Sequence, residues 1–212
     1  MMKRATLWLS SIAVAALMAG ANAQIYTYTA TGPFNIPGAG TSGPASVYPI
    51  TFNVSDSGNV AWVAITLGGL SHTWFDDIDA LLVSPAGTAV LFLSDAGGSS
   101  DPNGDYTFRD DISLSAIPDL SYAAPGTYNT SSYGTGDTFP APAPAGPYGG
   151  SLTLFLGENI TGTWSLYIYD DAGGDLGSMQ FATLTIAVPE PASMVVLGAG
   201  LAGLLGLRRR KK

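Results

Sequence analysis

The sequence predicts an all-β fold, a jelly-roll-like sandwich of eight or nine strands, on three observations. Apolar residues recur with period two, Gly-rich turn signals separate the runs, and no stretch between residues 24 and 187 has helical periodicity. Residues 24–46 read as an N-terminal strand and linker. Tyr48, Ile50, Phe52 and Val54 alternate with Val47, Pro49, Thr51 and Asn53, which gives a strand one face of which is buried. Val63, Ile65 and Leu67 give a second inward face. Ile78, Ala80 and Leu82, interleaved with Leu81 and Val83, make a strand apolar on both faces, and residues 89–93 are another buried run. Leu152, Leu154 and Leu156 alternate with Ser151, Thr153 and Phe155; Trp164, Leu166 and Ile168 alternate with Thr163, Ser165, Tyr167 and Tyr169. A last long strand covers about residues 179–188. Asp56-Ser57-Gly58, Ser84-Pro85-Ala86-Gly87, Asp95-Ala96-Gly97-Gly98 and Asp171-Ala172-Gly173-Gly174 supply the turns. Residues 121–150 hold six Gly and five Pro and carry no charge after Asp137, so this segment is expected to be a long surface loop inside the 47–187 domain.

Composition limits the chemistry. The 212 residues include no cysteine and one histidine, which excludes a disulfide scaffold, a thiol enzyme and a cysteine zinc site. Arg109 is the only Lys or Arg between residues 24 and 187, against fifteen acids, a formal charge of −14. Such a surface repels phosphate backbones and excludes nucleic acid as a partner; it favours cations.

Both ends read as addresses. Lys3 and Arg4, an apolar run over residues 7–18 and Ala21-Asn22-Ala23 form a secretory signal peptide over residues 1–23, with signal peptidase cutting after Ala23. At the other end Val188-Pro189-Glu190-Pro191 precedes sixteen uncharged residues and five terminal cations. Sixteen residues of helix rise about 24 Å, short of a bilayer core of about 30 Å. The cations keep that end cytoplasmic and everything upstream outside. VPEPASMVVLGAGLAGLLGLRRRKK resembles the PEP-CTERM sorting tail of Gram-negative bacteria, over residues 188–212. The resemblance implies transient insertion of a C-terminal hydrophobic helix in the inner membrane. It also implies processing near Pro189, Glu190 and Pro191 by an exosortase-like enzyme, and delivery to the cell surface or an exopolysaccharide matrix.

The central segments LSHTWFDDIDALLVSPAGTAVLFLSDAGG, YTFRDD and ENITGTWSLYIYDDAGGDLGSM resemble the P-domain (P/Homo B domain) that follows the catalytic domain of subtilisin-like proprotein convertases. The resemblance implies a jelly roll over residues 47–187, lengthened around residues 140–147. No catalytic segment of such a protease is present. His72 is the sole imidazole base, Ser71 points to the other side of a strand from it, and Asp76 or Asp77 is left to orient the ring; a non-enzymatic role is expected.

Calcium is the expected cofactor, because the acids are nearly all Asp, lie in turns and cluster: Asp76, Asp77 and Asp79; Asp101 and Asp105; Asp110 and Asp111; Asp170, Asp171 and Asp175. Asp101, Asn103 and Asp105 copy the start of an EF-hand loop, but Tyr106 replaces its Gly and Ile112 its bidentate Glu, so an EF-hand is excluded. The P-domain resemblance adds Asp77 and Asp110 as acidic positions, giving Asp77, Asp101, Asp105 and Asp110 as expected ligands. Solubility and turn formation are the alternative role of these acids. Trp62 and Trp74 are the expected stacking platforms under a second reading, a carbohydrate-binding module for extracellular polysaccharide.

Overall fold

The alternation is realised most simply in β3 (Ile50–Val54), where Ile50, Phe52 and Val54 are buried and Thr51 and Asn53 exposed. The computed structural model describes residues 23–190; the signal peptide up to residue 22, Pro191, the hydrophobic sorting helix and the terminal cations lie outside them. The other strands are β1 (Ala23–Ile36), β2 (Gly43–Pro44), β4 (Trp62–His72), β5 (Ile78–Val83), β6 (Ala89–Ser94), β7 (Asn103–Phe108), β8 (Gly126–Tyr128), β9 (Ser131–Ser132), β10 (Gly162–Asp170) and β11 (Gly177–Pro189). One sheet runs β1-β11-β4-β7-β8. The other runs β2-β10-β5-β6-β9, with β3 sharing the β2 edge of β10. The fold is therefore all-β, and its eleven strands exceed the eight or nine expected because β2, β8 and β9 are only two or three residues long.

One apolar core joins the sheets. Ile65, Leu67, Phe108, Leu184 and Ile186 of the first sheet meet Ile78, Leu82, Phe92, Trp164 and Ile168 of the second. Phe92 and Phe108 touch across the interior with ring centroids 5.1 Å apart. The expected N-terminal strand proves to be fourteen residues long and is laddered to β11 from Ala23↔Pro189 to Ile36↔Gly177. The compact unit accordingly runs from Ala23 to Glu190. Among the described residues no helix is long and apolar enough to cross a membrane.

The Pro-rich segment is a surface loop, apart from the short β8 and β9, and it is held against the sheet. Phe139 packs with Leu81, Leu91 and Tyr167 in a second apolar cluster on the outer face of β5, β6 and β10. Tyr48, Tyr167 and Tyr148 donate their hydroxyls to the carbonyls of Pro140, Pro142 and Pro144 at 3.1, 3.3 and 2.9 Å. Proline brings an acceptor and no donor, so a run of prolines lies on a sheet rich in Tyr hydroxyls without leaving buried N–H groups unpaired. This cover explains why β5 is apolar on both faces.

Residues 152–156 also depart from expectation. They form a 3-10 turn over Leu152–Phe155, capped by the Ser151 hydroxyl, which accepts from the Thr153 amide at 3.2 Å. A local side-chain acceptor here outcompetes the ladder. Gly157, at φ +81, then turns the chain away.

Candidate functional site

Strand β7 lies between two of the acids expected as calcium ligands and contains a third. Asp101 precedes it and Asp110 follows it, and nine residues of extended chain span about 30 Å. Asp105 Oδ1 accepts the Gly69 amide at 2.7 Å, which stabilises the register shift of β4 against β7 between Leu67 and Leu70. Asp110 is saturated: it accepts the Thr130 amide and hydroxyl, the Ser151 hydroxyl and the Leu152 amide, at 2.7 to 3.0 Å. These bonds pin the Pro-rich cover and the 3-10 turn to the end of β7. Asp77 is buried, and its carbonyl accepts the Asp171 amide at 3.0 Å. Of Asp77, Asp101, Asp105 and Asp110, the last is thus a structural staple. Among the described residues no three acidic or imidazole groups are preset at metal-ligand spacing.

A different group of acids gathers at the opposite end of the sandwich from the Ala23↔Pro189 pair. Asp79, on β5, pairs with Tyr169 of β10 and faces the end of β6. It is 2% exposed, and its Oδ1 is shut from solvent without a hydrogen-bond partner. The charges of Asp171, Asp137 and Asp95 act on it, and the Ser94 hydroxyl partly offsets them. Ser94 Oγ also lies 3.2 Å from Asp95 Oδ2 and 3.0 Å from Asp137 Oδ2, and so links the end of β6 to the Pro-rich segment. The contact is close: a Cβ added at Gly134, at φ +68, would stand 2.5 Å from Asp95 Oδ2. Asp76 adds a second shielded Oδ1 with no partner, and it is acted on by Asp95.

None of these five was among the four expected ligands, and Asp95 and Asp137 lay outside the acid clusters of the sequence altogether. Asp79 had a visible signal, an acid on the same strand face as Leu81 and Val83. Asp137 was the last charge before the proline run. Their proximity arises from topology, because the ends of β6 and β10, the start of β5 and the Pro-rich segment meet only in the folded sandwich.

Burial, then the charges of Asp171 and Asp137, pushes the Asp79 carboxyl up to about 8; burial, then Asp170 and Asp175, pushes Asp77 up to about 6. Both groups hold protons more tightly folded than unfolded. The stability they contribute is complete below about pH 4 and is lost as pH rises through 6 and 8. In EDTA the melting temperature is expected to fall by several degrees between pH 5 and pH 8. A rise over that interval contradicts the burial of these acids.

His72 is buried and engages neither Asp76 nor Asp77. Its Nε2 lies 3.1 Å from Asp170 Oδ2, and its Nδ1 lies 2.7 Å from the Trp74 carbonyl. Both side chains are fully shielded, and Ser71 is exposed on the other side of β4. The pair braces β4 against β10 across the interior. The two tryptophans sit at opposite ends of β4. Trp62 is covered by the Arg109 guanidinium, whose Cζ stands 4.3 Å above the ring, whereas Trp74 is 40% exposed. Trp62 thus carries a cation on its face, and Trp74 is the more exposed of the two.

Residues 187–211 match the PEP-CTERM protein-sorting motif. The motif marks the chain as an exported protein handled by an exosortase-like enzyme. No curated protein matches the sequence. Among solved structures, a chain of the Aeromonas sobria serine protease (ASP) and chaperone (ORF2) complex aligns at 17% identity and TM-score 0.41, over 79% of this chain and 26% of its own. The serine protease of Aeromonas sobria aligns at 16% identity and TM-score 0.41, over 78% of this chain and 26% of its own. The chain thus spans about a quarter of the length of these solved chains.

Proposed function

We propose that the chain is a non-enzymatic surface or extracellular-matrix protein of a Gram-negative bacterium, a P-domain-like sandwich stabilised by calcium and released from its membrane tail by an exosortase-like enzyme. The observation that carries this reading is the junction between fold and motif. Val188 is the last core residue, Pro189 ends β11, and the sorting motif begins at residue 187. Cleavage beyond Pro189 therefore removes the tail and leaves every ladder of the sandwich intact. The lone imidazole supports a structural role, since it is buried and engaged in the His72–Asp170 brace.

Mass spectrometry of the protein from its native host tests the reading. The expected mature form begins at Gln24, ends close to the Pro-Glu-Pro, and is found in the surface fraction. Replacing Pro189, Glu190 and Pro191 together by alanine should leave the chain uncleaved in the inner membrane. Full-length protein in the cytoplasm, or normal release of the triple variant, overturns it.

A further inference from the structure

We propose that β1 is a pairing edge, to which a second copy of this chain adds its own β1, antiparallel and centred on Thr27, so that two five-stranded sheets join into one. β1 ends its sheet and is paired only with β11. An edge of this kind offers unpaired N–H and C=O groups to any strand that reaches it, and proteins blunt it by shortness, charge, proline, a bulge or a cover. Shortness blunts the other edges here: β2, β8 and β9 have two or three residues and β3 has five. β1 has fourteen. Its second half is protected by Pro33 and by the register shift between Thr31 and Phe34, and Asn35 is bonded to Ser46. Residues 23–31 hold no charge, no proline and no bulge. Among the described residues, only β11 hydrogen-bonds to their backbone.

The ladder tells which groups face outward. The Ala61 amide donates to the Ala187 carbonyl at 2.7 Å, so Ala187 turns its backbone groups toward β4 and away from Ile25, its partner on β1. Antiparallel pairs alternate, so Tyr26 and Tyr28 bond to β11 while Ile25, Thr27 and Thr29 point their N–H and C=O away from it. The contact of the Thr29 and Thr183 hydroxyls at 3.0 Å agrees, since side chains approach most closely in the pairs that lack ladder bonds. Centring on Thr27 sets that residue against its own counterpart and Ile25 against Thr29 of the second copy, and every outward backbone group from 25 to 29 is matched.

Symmetry and charge make a second copy the partner. A two-fold axis uses the same patch twice. The alternation then brings threonines together on the exposed face and Tyr26 against Tyr28 on the other, and both kinds of cross-strand pair are favourable. Residues 24–187 carry a formal charge of −14, so two copies repel over most of their surface. Residues 23–31 carry none of it, and Asp56, the carboxylate bonded to this strand, is held by the Tyr28 hydroxyl.

Sedimentation equilibrium of the purified full chain in mild detergent is the test, and a dimer is expected. Thr29→Pro removes an outward N–H and spares the β11 ladder, a place where a strand tolerates proline. It should raise the dissociation constant at least about a hundredfold and leave the circular dichroism unchanged. Thr27→Lys provides the same reading should Thr29→Pro not fold. Position 27 also allows a direct check, because the chain has no cysteine of its own. Facing residues in a bonded pair have Cα atoms about 5.5 Å apart, within reach of a disulfide. Thr27→Cys should therefore cross-link on oxidation, whereas Thr127→Cys, exposed on β8 at the other edge of the sheet, should not. A monomer at every concentration, a dimer as tight in Thr29→Pro and Thr27→Lys as in the unsubstituted chain, or equal cross-linking at positions 27 and 127 overturns the proposal.

Discussion

Replacing Trp164 by alanine is expected to lower the unfolding free energy by about 3–5 kcal/mol, the range for removing a large aromatic side chain from a packed core. The indole is fully buried at the centre of β10, which is laddered to β3 on one side and β5 on the other. Its ring meets Phe155 edge-on at 5.1 Å, and its Nε1 donates to the Ile160 carbonyl at 3.0 Å. The loss therefore combines a cavity, an aromatic contact and a stranded carbonyl. Urea unfolding followed by circular dichroism measures it. Trp164→Phe, which keeps most of the volume and the ring contact, should cost well under half as much. A midpoint shift for Trp164→Ala equivalent to less than about 1 kcal/mol would remove Trp164 from the core.

The second large effect is expected at the His72–Asp170 brace. Removing one partner of a buried pair leaves the other without compensation, and Asp170→Ala should cost about 3–5 kcal/mol. Burial holds the Asp170 carboxyl above the usual carboxylate range, although His72 pulls it down. An asparagine carbonyl at position 170 can still accept from His72 Nε2, which makes the neutral isostere a good substitute. Asp170→Asn is expected to recover most of the loss. Equal destabilisation by Ala and Asn would show that charge, not the hydrogen bond to Nε2, holds the two sheets at this point.

Much of the fold could be read directly from the residues. The alternations of β3, β5, β6, β10 and β11 survive almost to the residue, because each has a face that must be buried and a one-residue slip would expose it. The failures have local causes. β7 begins Asn-Gly-Asp, a turn signature, and is nevertheless a strand because Tyr106 and Phe108 are drawn into the core beside β4. Residues 152–156 had the right alternation and became a 3-10 turn, because the Ser151 hydroxyl accepts from the Thr153 amide and donates to Asp110. The candidate site was less legible. Acid clustering along the chain drew attention to Asp101, Asp105 and Asp110, whose carboxylates are spent on amides or exposed. Asp79, Asp95, Asp137 and Asp171 are scattered over more than ninety residues, and only strand order brings them together. What the sequence did contain was a single misfit, Asp79, an acid on an otherwise apolar strand face.

The long pairing of β1 with β11 has a mechanical side. β11 is flanked by β1 and β4 along nearly its whole length, and its two ends lie at opposite poles of the domain. A chain tethered through Pro189 and tugged at the far pole carries the tension along β11, with ladder hydrogen bonds perpendicular to the pull on both sides. Those bonds share the load and must yield together. The same strand pulled from its neighbours at one end would release them singly. The sorting junction is thus attached to the strand best placed to resist extraction.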